Sequence, residues 1–335
     1  MSPIISVILP TYARYRTGHL KRAIDSYLDQ DKDFQSELLI YDDGSIDGTY
    51  EYLMKAESCH NDIKLYRSDI NTGLPALSTF DALKHSRGKI ITWLLDDCVL
   101  DRSYLQKIAQ PILDNKCSVC YGKTRSIFDN SEMIVGQEYD QELIKIRNII
   151  PAGSIAVDKK IFHKYGWFDT SIIMRRICDH DMWLRINEKF YFIDEILTTE
   201  EGAGLSNSLG HTSSLDPEII KNYYEYRENN FVKPISLSIF DRDFFESLEI
   251  DMKERYIFLV IEFLIITNNV SFNEEIMDII RKNYLFQEAL YNYDINNGLQ
   301  QQHLLRCYSF MLKQKNNEMG KMILDMRHAL DNLEK

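Results

Sequence analysis

The sequence predicts an α/β fold, a mainly parallel sheet with helices on both faces, followed by an all-helical region. Through the first hundred residues short apolar runs alternate with stretches of helical periodicity, the pattern of consecutive strand–helix–strand units. Three of the apolar runs end in polar clusters, at Thr11, Asp42-Asp43 and Asp96-Asp97, and ligands of such sheets bind beyond the carboxyl ends of the strands. After about Pro234 glycine and proline nearly vanish, and amphipathic segments follow one another to Lys335.

The elements follow in order. Ile4 to Leu9 is an apolar run broken only by Ser6, long enough for a buried strand, and Pro10 ends it. From His19 to Leu28, Leu20, Ala23, Ile24, Tyr27 and Leu28 fall on one helical face. Leu38 to Tyr41 is a second strand, stopped by the turn residues Asp42-Asp43-Gly44-Ser45. Thr49 to Ala56 reads as helix and Ile63 to Tyr66 as a third strand. Asn71-Thr72-Gly73 precedes a helix from Pro75 to His85, with proline in the first turn, where its missing N–H does no harm. Gly88 ends that helix, and Ile90 to Leu95 is a fourth strand running into Asp96-Asp97. Between Cys117 and Leu215 the pattern loosens. Strands are expected at Ser118 to Thr124, Gly153 to Val157 and Phe190 to Ile193, and helices at Lys159 to Tyr165 and Asp179 to Asn187. The helical region is expected at Arg242 to Ile250, Lys253 to Ile266, Asn273 to Arg281 and Leu299 to Leu333. These assignments divide the chain into a domain of residues 1–234 and a helical one of residues 235–335.

Composition excludes several classes. The 335 residues carry 39 Lys and Arg against 51 Asp and Glu, a net charge of −12, which argues against a nucleic-acid groove. No apolar run approaches the roughly 18 residues of a membrane span; the best, Ile257 to Ile266, is interrupted by Glu262. No basic leader with a long apolar core opens the chain, and the six cysteines are sparse, so a reducing, cytoplasmic setting is expected. Cys117 and Cys120 form a lone C-x-x-C, expected to be part of a strand, and the sequon Asn269-Val270-Ser271 is expected to be coincidental.

The acidic clusters carry the chemistry. Adjacent carboxylates at Asp96-Asp97 repel unless a cation or water screens them; hard oxygen donors of this kind suit Mg²⁺ or Mn²⁺ holding a diphosphate, and they equally suit a solvated turn. A carboxylate at Asp42-Asp43 can accept hydrogen bonds from a nucleobase or a ribose, or close an Asx turn. Cys178-Asp179-His180-Asp181 opens a helix, where aspartate is either a cap or a general base. The phosphate loops G-x-G-x-x-G and G-x-x-x-x-G-K-[ST] and the nucleophile motif G-x-S-x-G are all absent, so a diphosphate ligand needs a metal.

Taken in order, these segments resemble the family 2 glycosyltransferases, inverting enzymes of the GT-A fold, a Rossmann-like mixed sheet flanked by helices. The residues that carry the resemblance are Ser6 to Tyr12, Asp42 to Thr49, Asn71-Thr72-Gly73, Trp93 to Asp97, Gly166 to Asp169 and Asp179 to Arg185. It spans about residues 4 to 210 and not the helical C-terminal region. The resemblance implies a nucleoside pocket at Pro10, Thr11, Tyr12, Arg14, Asp42 and Asp43, and a ribose contact at Asp96. It implies Asp97 as ligand of a Mn²⁺ or Mg²⁺ ion, with His211 or Glu201 completing the shell. It implies Asp179 as catalytic base, with Asp181 the second acidic position and Trp183 and Arg185 holding their helix; Arg175 and Arg176, just before the base, read equally as an aid to the diphosphate and as a solvated basic pair.

The sequence departs from the family pattern at several positions: Leu95 stands for the first aspartate of D-x-D, Thr79-Phe80 for Arg-Asn, Cys178 for the glutamate before the base, and Glu201 for a late histidine of the metal shell. The resemblance implies a nucleotide-sugar donor, most often a UDP-sugar, and a saccharide, lipid-linked or protein acceptor in polysaccharide biosynthesis. A peripheral position at the inner face of a membrane is compatible with it, and the C-terminal helices suit homo-oligomerisation or acceptor docking. The alternative is a catalytically degenerate sugar-nucleotide-binding partner subunit. A sugar-1-phosphate nucleotidyltransferase ranks last, because Tyr12 to Thr17 has two arginines and no glycine.

Overall fold

The computed structural model describes residues 3–69, 71–128, 131–201, 215–230 and 241–267. Four apolar segments, β1 (Ile5–Thr11), β2 (Ser36–Asp42), β3 (Ile63–Arg67) and β4 (Ile90–Trp93), pair in parallel in the order β3-β2-β1-β4. The crossovers are α1 (His19–Leu28), α2 (Thr49–Cys59) and α3 (Pro75–His85), so every strand of this half runs toward the same edge. Side chains alternate across it: Ile5, Val7 and Leu9 of β1 join a core with Leu20, Ile24 and Tyr27 of α1, while Ile8 joins a second core with Ala76 and Ala82 of α3.

The other half is antiparallel in part, where the sequence predicts a mainly parallel sheet. It contains β5 (Cys98–Leu100), β6 (Val119–Phe128), β7 (Ser131–Val135), β8 (Ile155–Asp158) and β9 (Phe190–Glu200). The order continues β4-β8-β6-β9-β5; β8 is antiparallel to β4 and β6, β9 is parallel to β6, and β7 pairs with β6 outside this path. The connecting helices are α4 (Tyr104–Leu113), α5 (Leu143–Ile146), α6 (Lys160–Tyr165) and α7 (Cys178–Arg185). Cys120 is buried in β6, Cys117 packs on the same core, and both are free thiols.

The described residues divide into two compact units, the second made of residues 171–173, 215–230 and 241–267. Its described elements are α8 (Pro217–Asn230), α9 (Arg242–Ser247) and α10 (Ile250–Thr267). Asp241 caps α9 by accepting the Phe244 N–H at 2.9 Å, and Phe244 packs edge-on against Tyr223 with ring centroids 5.0 Å apart. Arg255 of α10 pairs with Asp216 at 2.8 Å and with Glu218. The expected boundary at residue 234 and the helices expected after residue 267, with the sequon at Asn269, lie outside the described residues. Among the described residues no helix is long and apolar enough to cross a membrane.

Candidate active site

Parallel pairing brings the polar clusters together. Thr11 is in register with Asp42 at the ends of β1 and β2, and a Leu94 N–H to Ile8 carbonyl bond of 2.9 Å carries the chain one step past β4, toward Asp96. There the Thr11 hydroxyl donates to Asp96 Oδ2 at 2.8 Å and Arg14 Nε donates to Oδ1 at 3.2 Å. Both Asp96 oxygens are engaged. Burial nevertheless pushes this carboxyl up to about 6; the Arg14 guanidinium opposes the rise and the neighbouring Asp97 adds to it.

The loop after β1 is fastened to the loop after β2. The Ser45 hydroxyl accepts the Ala13 N–H at 2.9 Å, and the Thr49 hydroxyl accepts the N–H groups of Arg14 and Tyr15 at 3.0 and 2.9 Å. Ala13 takes a positive φ of 53°, which turns the chain so that Arg14 points back to Asp96. Tyr12 is left 38% exposed at the strand end. Asp42 is fully buried, with Ser45 N–H on Oδ1 at 3.3 Å and Arg67 Nε 3.4 Å from Oδ2. Asp43 accepts the Thr72 N–H and hydroxyl and the Gly73 N–H at 2.8–3.1 Å, which folds the Asn71-Thr72-Gly73 turn over it. Burial raises both carboxyls from their ordinary range.

Asp97 has a different setting. The Cys98 thiol lies 3.8 Å from its Oδ1, and its carboxyl is raised first by burial and then by Glu200, the last residue of β9, which is in register with Cys98. Ser126 holds Glu200 through a 2.6 Å hydrogen bond. The Asp97 and Glu200 carboxylates, with phosphate oxygens to fill the remaining positions, are hard oxygen donors that fit Mg²⁺ or Mn²⁺. Among the described residues no group of three or more His, Cys, Asp or Glu is arranged as a metal site. His211 lies outside the described residues. Glu201 donates its backbone N–H to the Asp97 carbonyl at 2.8 Å, while its side chain pairs with Arg22.

Asp179 lies in the first turn of α7, where the helix dipole favours an anion. Asn148 Nδ2 donates to its Oδ2 at 2.8 Å, and burial raises its carboxyl while the His180 N–H and Asn148 oppose that rise. Asn148 and Gly153 are five residues apart, at most roughly 18 Å of extended chain. Gly153 abuts Leu95 and Cys98: a Cβ there would meet Cys98 Sγ at 3.2 Å and a Leu95 methyl at 3.6 Å. The chain that holds Asp179 thus leads, within five residues, to the neighbours of Asp96-Asp97.

Asp181 faces inward instead. It is 1% exposed and pairs with Arg185 Nε at 3.0 Å, and the same guanidinium caps the Tyr165 and Trp167 carbonyls at 2.5 and 2.6 Å. Thr79 bonds the Pro75 carbonyl at 2.6 Å and Phe80 packs against Trp167, so both point into structure. Arg175 is buried as well.

Four residues at the site have no signal in the sequence. Asn148, Arg67, Glu200 and Ser126 sit on strands and loops whose neighbours are fixed only by the sheet order; Glu200, at the end of a strand predicted to stop at Ile193, needed the observed β5–β9 pairing.

The fold and part of the sequence are shared with known proteins. The structure of Staphylococcus aureus TarS 1-349 in complex with UDP superposes with a TM-score of 0.51 and 17% identity, covering 88% of this chain and 94% of that one. The complex of the same protein with UDP-GlcNAc gives a TM-score of 0.53 at 15% identity, covering 97% and 87%. At this identity the likeness establishes the fold, a GT-A glycosyltransferase fold. The protein named "Putative teichuronic acid biosynthesis glycosyltransferase TuaG" of Bacillus subtilis (strain 168) is 28% identical over 120 residues, 36% of this chain and 46% of its own length. The chain therefore matches about half the length of that relative. Finally, the family model for Glycosyl transferase family 2 matches residues 6–180, from the first strand to the first turn of α7, and the chain belongs to that family of glycosyltransferases.

Proposed function

We propose that the protein moves a sugar from a nucleoside-diphosphate sugar, a UDP-sugar before others, to a hydroxyl of a saccharide acceptor, in a single displacement with inversion. The observation that carries this reading is the placement of Asp179, a helix-start carboxylate held by Asn148, from which the chain leads within five residues to the neighbours of Asp96-Asp97. The bound UDP and UDP-GlcNAc of the TarS structures support the choice of donor. The TuaG name supports an acceptor in cell-surface polysaccharide synthesis.

Each residue then has a task. The exposed Tyr12 ring offers a face to the nucleobase. Asp42 and Asp43 shape the pocket wall from within: Thr72 and Gly73 hydrogen-bond Asp43, Ser45 hydrogen-bonds Asp42 Oδ1, and Asp42 Oδ2 is left with only the Arg67 ion pair at 3.4 Å. Thr11 and Arg14 hold Asp96, which would face the ribose, and Asp97, with Glu200 behind it, would hold the divalent cation. Bound there, Mn²⁺ or Mg²⁺ stabilises the charge that develops on the departing diphosphate. Asp179 takes the proton of the acceptor hydroxyl, and its raised carboxyl makes it a better base than an exposed aspartate. Asp181, with Arg185, braces α7.

The test is nucleotide release from UDP-, GDP- and dTDP-sugars with Mn²⁺ or Mg²⁺, against a panel of saccharide acceptors. UDP release that needs both the cation and an acceptor supports the proposal. Tight nucleotide binding with no release from any donor would assign the chain to a sugar-nucleotide-binding partner subunit instead.

A further inference from the structure

The segment before β8 makes two contacts with the start of α7, and the proposed chemistry gives neither of them a task of its own. His180 Nε2 lies 2.5 Å from the Ile144 carbonyl, and Asn148 Nδ2 donates to Asp179 Oδ2 at 2.8 Å. Asn148 is itself fixed at its other end, because its Oδ1 accepts the Ile150 N–H at 3.1 Å. That second bond sets which way the amide points: the oxygen is committed to the backbone, so only the NH₂ can face the carboxylate. Ile144, Ile149 and Ile150 on either side are buried in the core that also holds Met182 and Trp183 of α7. The amide is held by packing and hydrogen bonding before any ligand arrives.

We propose that Asn148 is a positioning residue for the transfer reaction, setting the plane of the Asp179 carboxylate and keeping it in its proton-accepting state. The inference rests on the reading of Asp179 as the base. A donor N–H on a carboxylate favours the charged form, and a fixed one also removes the rotation that would turn the oxygens away from an acceptor hydroxyl. The titratable groups near Asp179 include His180 and the Cys178 thiol on its own helix, Asp181 two residues on, which is paired with Arg185 at 3.0 Å, and Asp169, which acts on Cys178. The charges of the packed segment are engaged elsewhere, Lys145 with Glu142 at 2.7 Å and Arg147 with Gln137 at 2.9 Å. Asn148 is thus the side chain that the segment contributes to Asp179.

The test compares Asn148→Ala and Asn148→Asp with the parent protein, reading kcat and donor KM across pH. Loss of the donor is expected to lower kcat by about tenfold or more, the size of a hydrogen bond to a charged group, with donor KM unchanged. The acid limb of the kcat profile moves to higher pH, because the charged carboxylate loses its support. Asn148→Asp, although nearly isosteric, is expected to be the worse of the two and to move the limb further, since it places a second carboxylate against the first. A merely structural role predicts the reverse order and an unmoved limb, and that result overturns the proposal. Circular dichroism and UDP binding confirm that each variant is folded. Asp179→Asn in the same assay separates the two ideas: if it retains turnover, the base assignment fails; if it is inactive and the Asn148 variants keep the parent limb, only the positioning role fails.

Discussion

The side chains with the clearest chemistry are held by partners far from them in sequence. Thr11 and Arg14 grip Asp96, Thr72 grips Asp43, and Asn148 grips Asp179. The carboxylates themselves were legible because each closes a strand or opens a helix; their partners were not, because no local pattern ties Asn148 to a helix thirty residues later. The same geometry separates Asp179 from Asp181, which the sequence left side by side: one lies in a helix start beside a neutral amide, the other is locked to Arg185. Asp179→Asn is expected to lower kcat by roughly 10²–10⁴-fold, the usual contribution of a general base, while UDP binding measured by calorimetry is retained. Asp181→Asn is expected to act on thermal stability before turnover, since it unbalances the buried Arg185 pair.

At the level of elements, the parallel half of the sheet was readable almost to the residue. β1, β2 and β4 are largely apolar runs buried on both faces, β3 is a partly exposed edge strand, and α3 begins at Pro75 as its first-turn proline requires. The antiparallel half was not. β5 has three residues, β7 is an exposed strand without alternation, and α4 hides its helical face behind Pro111 in its last turn. Entry into β4 rests on a buried network in which Ser6 donates to Glu37 at 2.6 Å and accepts the Gly88 N–H at 2.8 Å, while Arg87 pairs with Glu37 at 2.7 Å. A Cβ on Gly88 would sit 2.5 Å from the Ser6 backbone nitrogen. Gly88→Ala is therefore expected to cost about 1–3 kcal/mol by forcing β1 and β4 apart, measured as a lower urea midpoint.

Across the whole molecule the acidic surplus takes on a local character. Asp42, Asp43, Asp96, Asp97 and Asp179 are all raised, chiefly by burial, from an ordinary value of 3.8, with Asp96 at about 6. Between about pH 4 and pH 6 the folded protein keeps protons that the unfolded chain has released, so these groups make stability fall as pH rises through that window. The ligand-free protein is expected to have a higher thermal midpoint at about pH 5 than at about pH 7.5. Mn²⁺ with UDP is expected to raise the midpoint at about pH 7.5 and much less at about pH 5, where protons compete for the same oxygens. A flat profile with no cation effect would remove Asp97 from the proposed metal shell. The hydrogen bond between Thr11 and Asp96 spans 85 positions of the chain, and β1 lies between β2 and β4. The proposed nucleotide pocket is complete only after three strands and their crossovers have assembled, so no short fragment is expected to hold the nucleotide. Donor binding consequently reports on the assembled sheet as a whole, and a bound nucleotide is expected to slow proteolysis at sites remote from it.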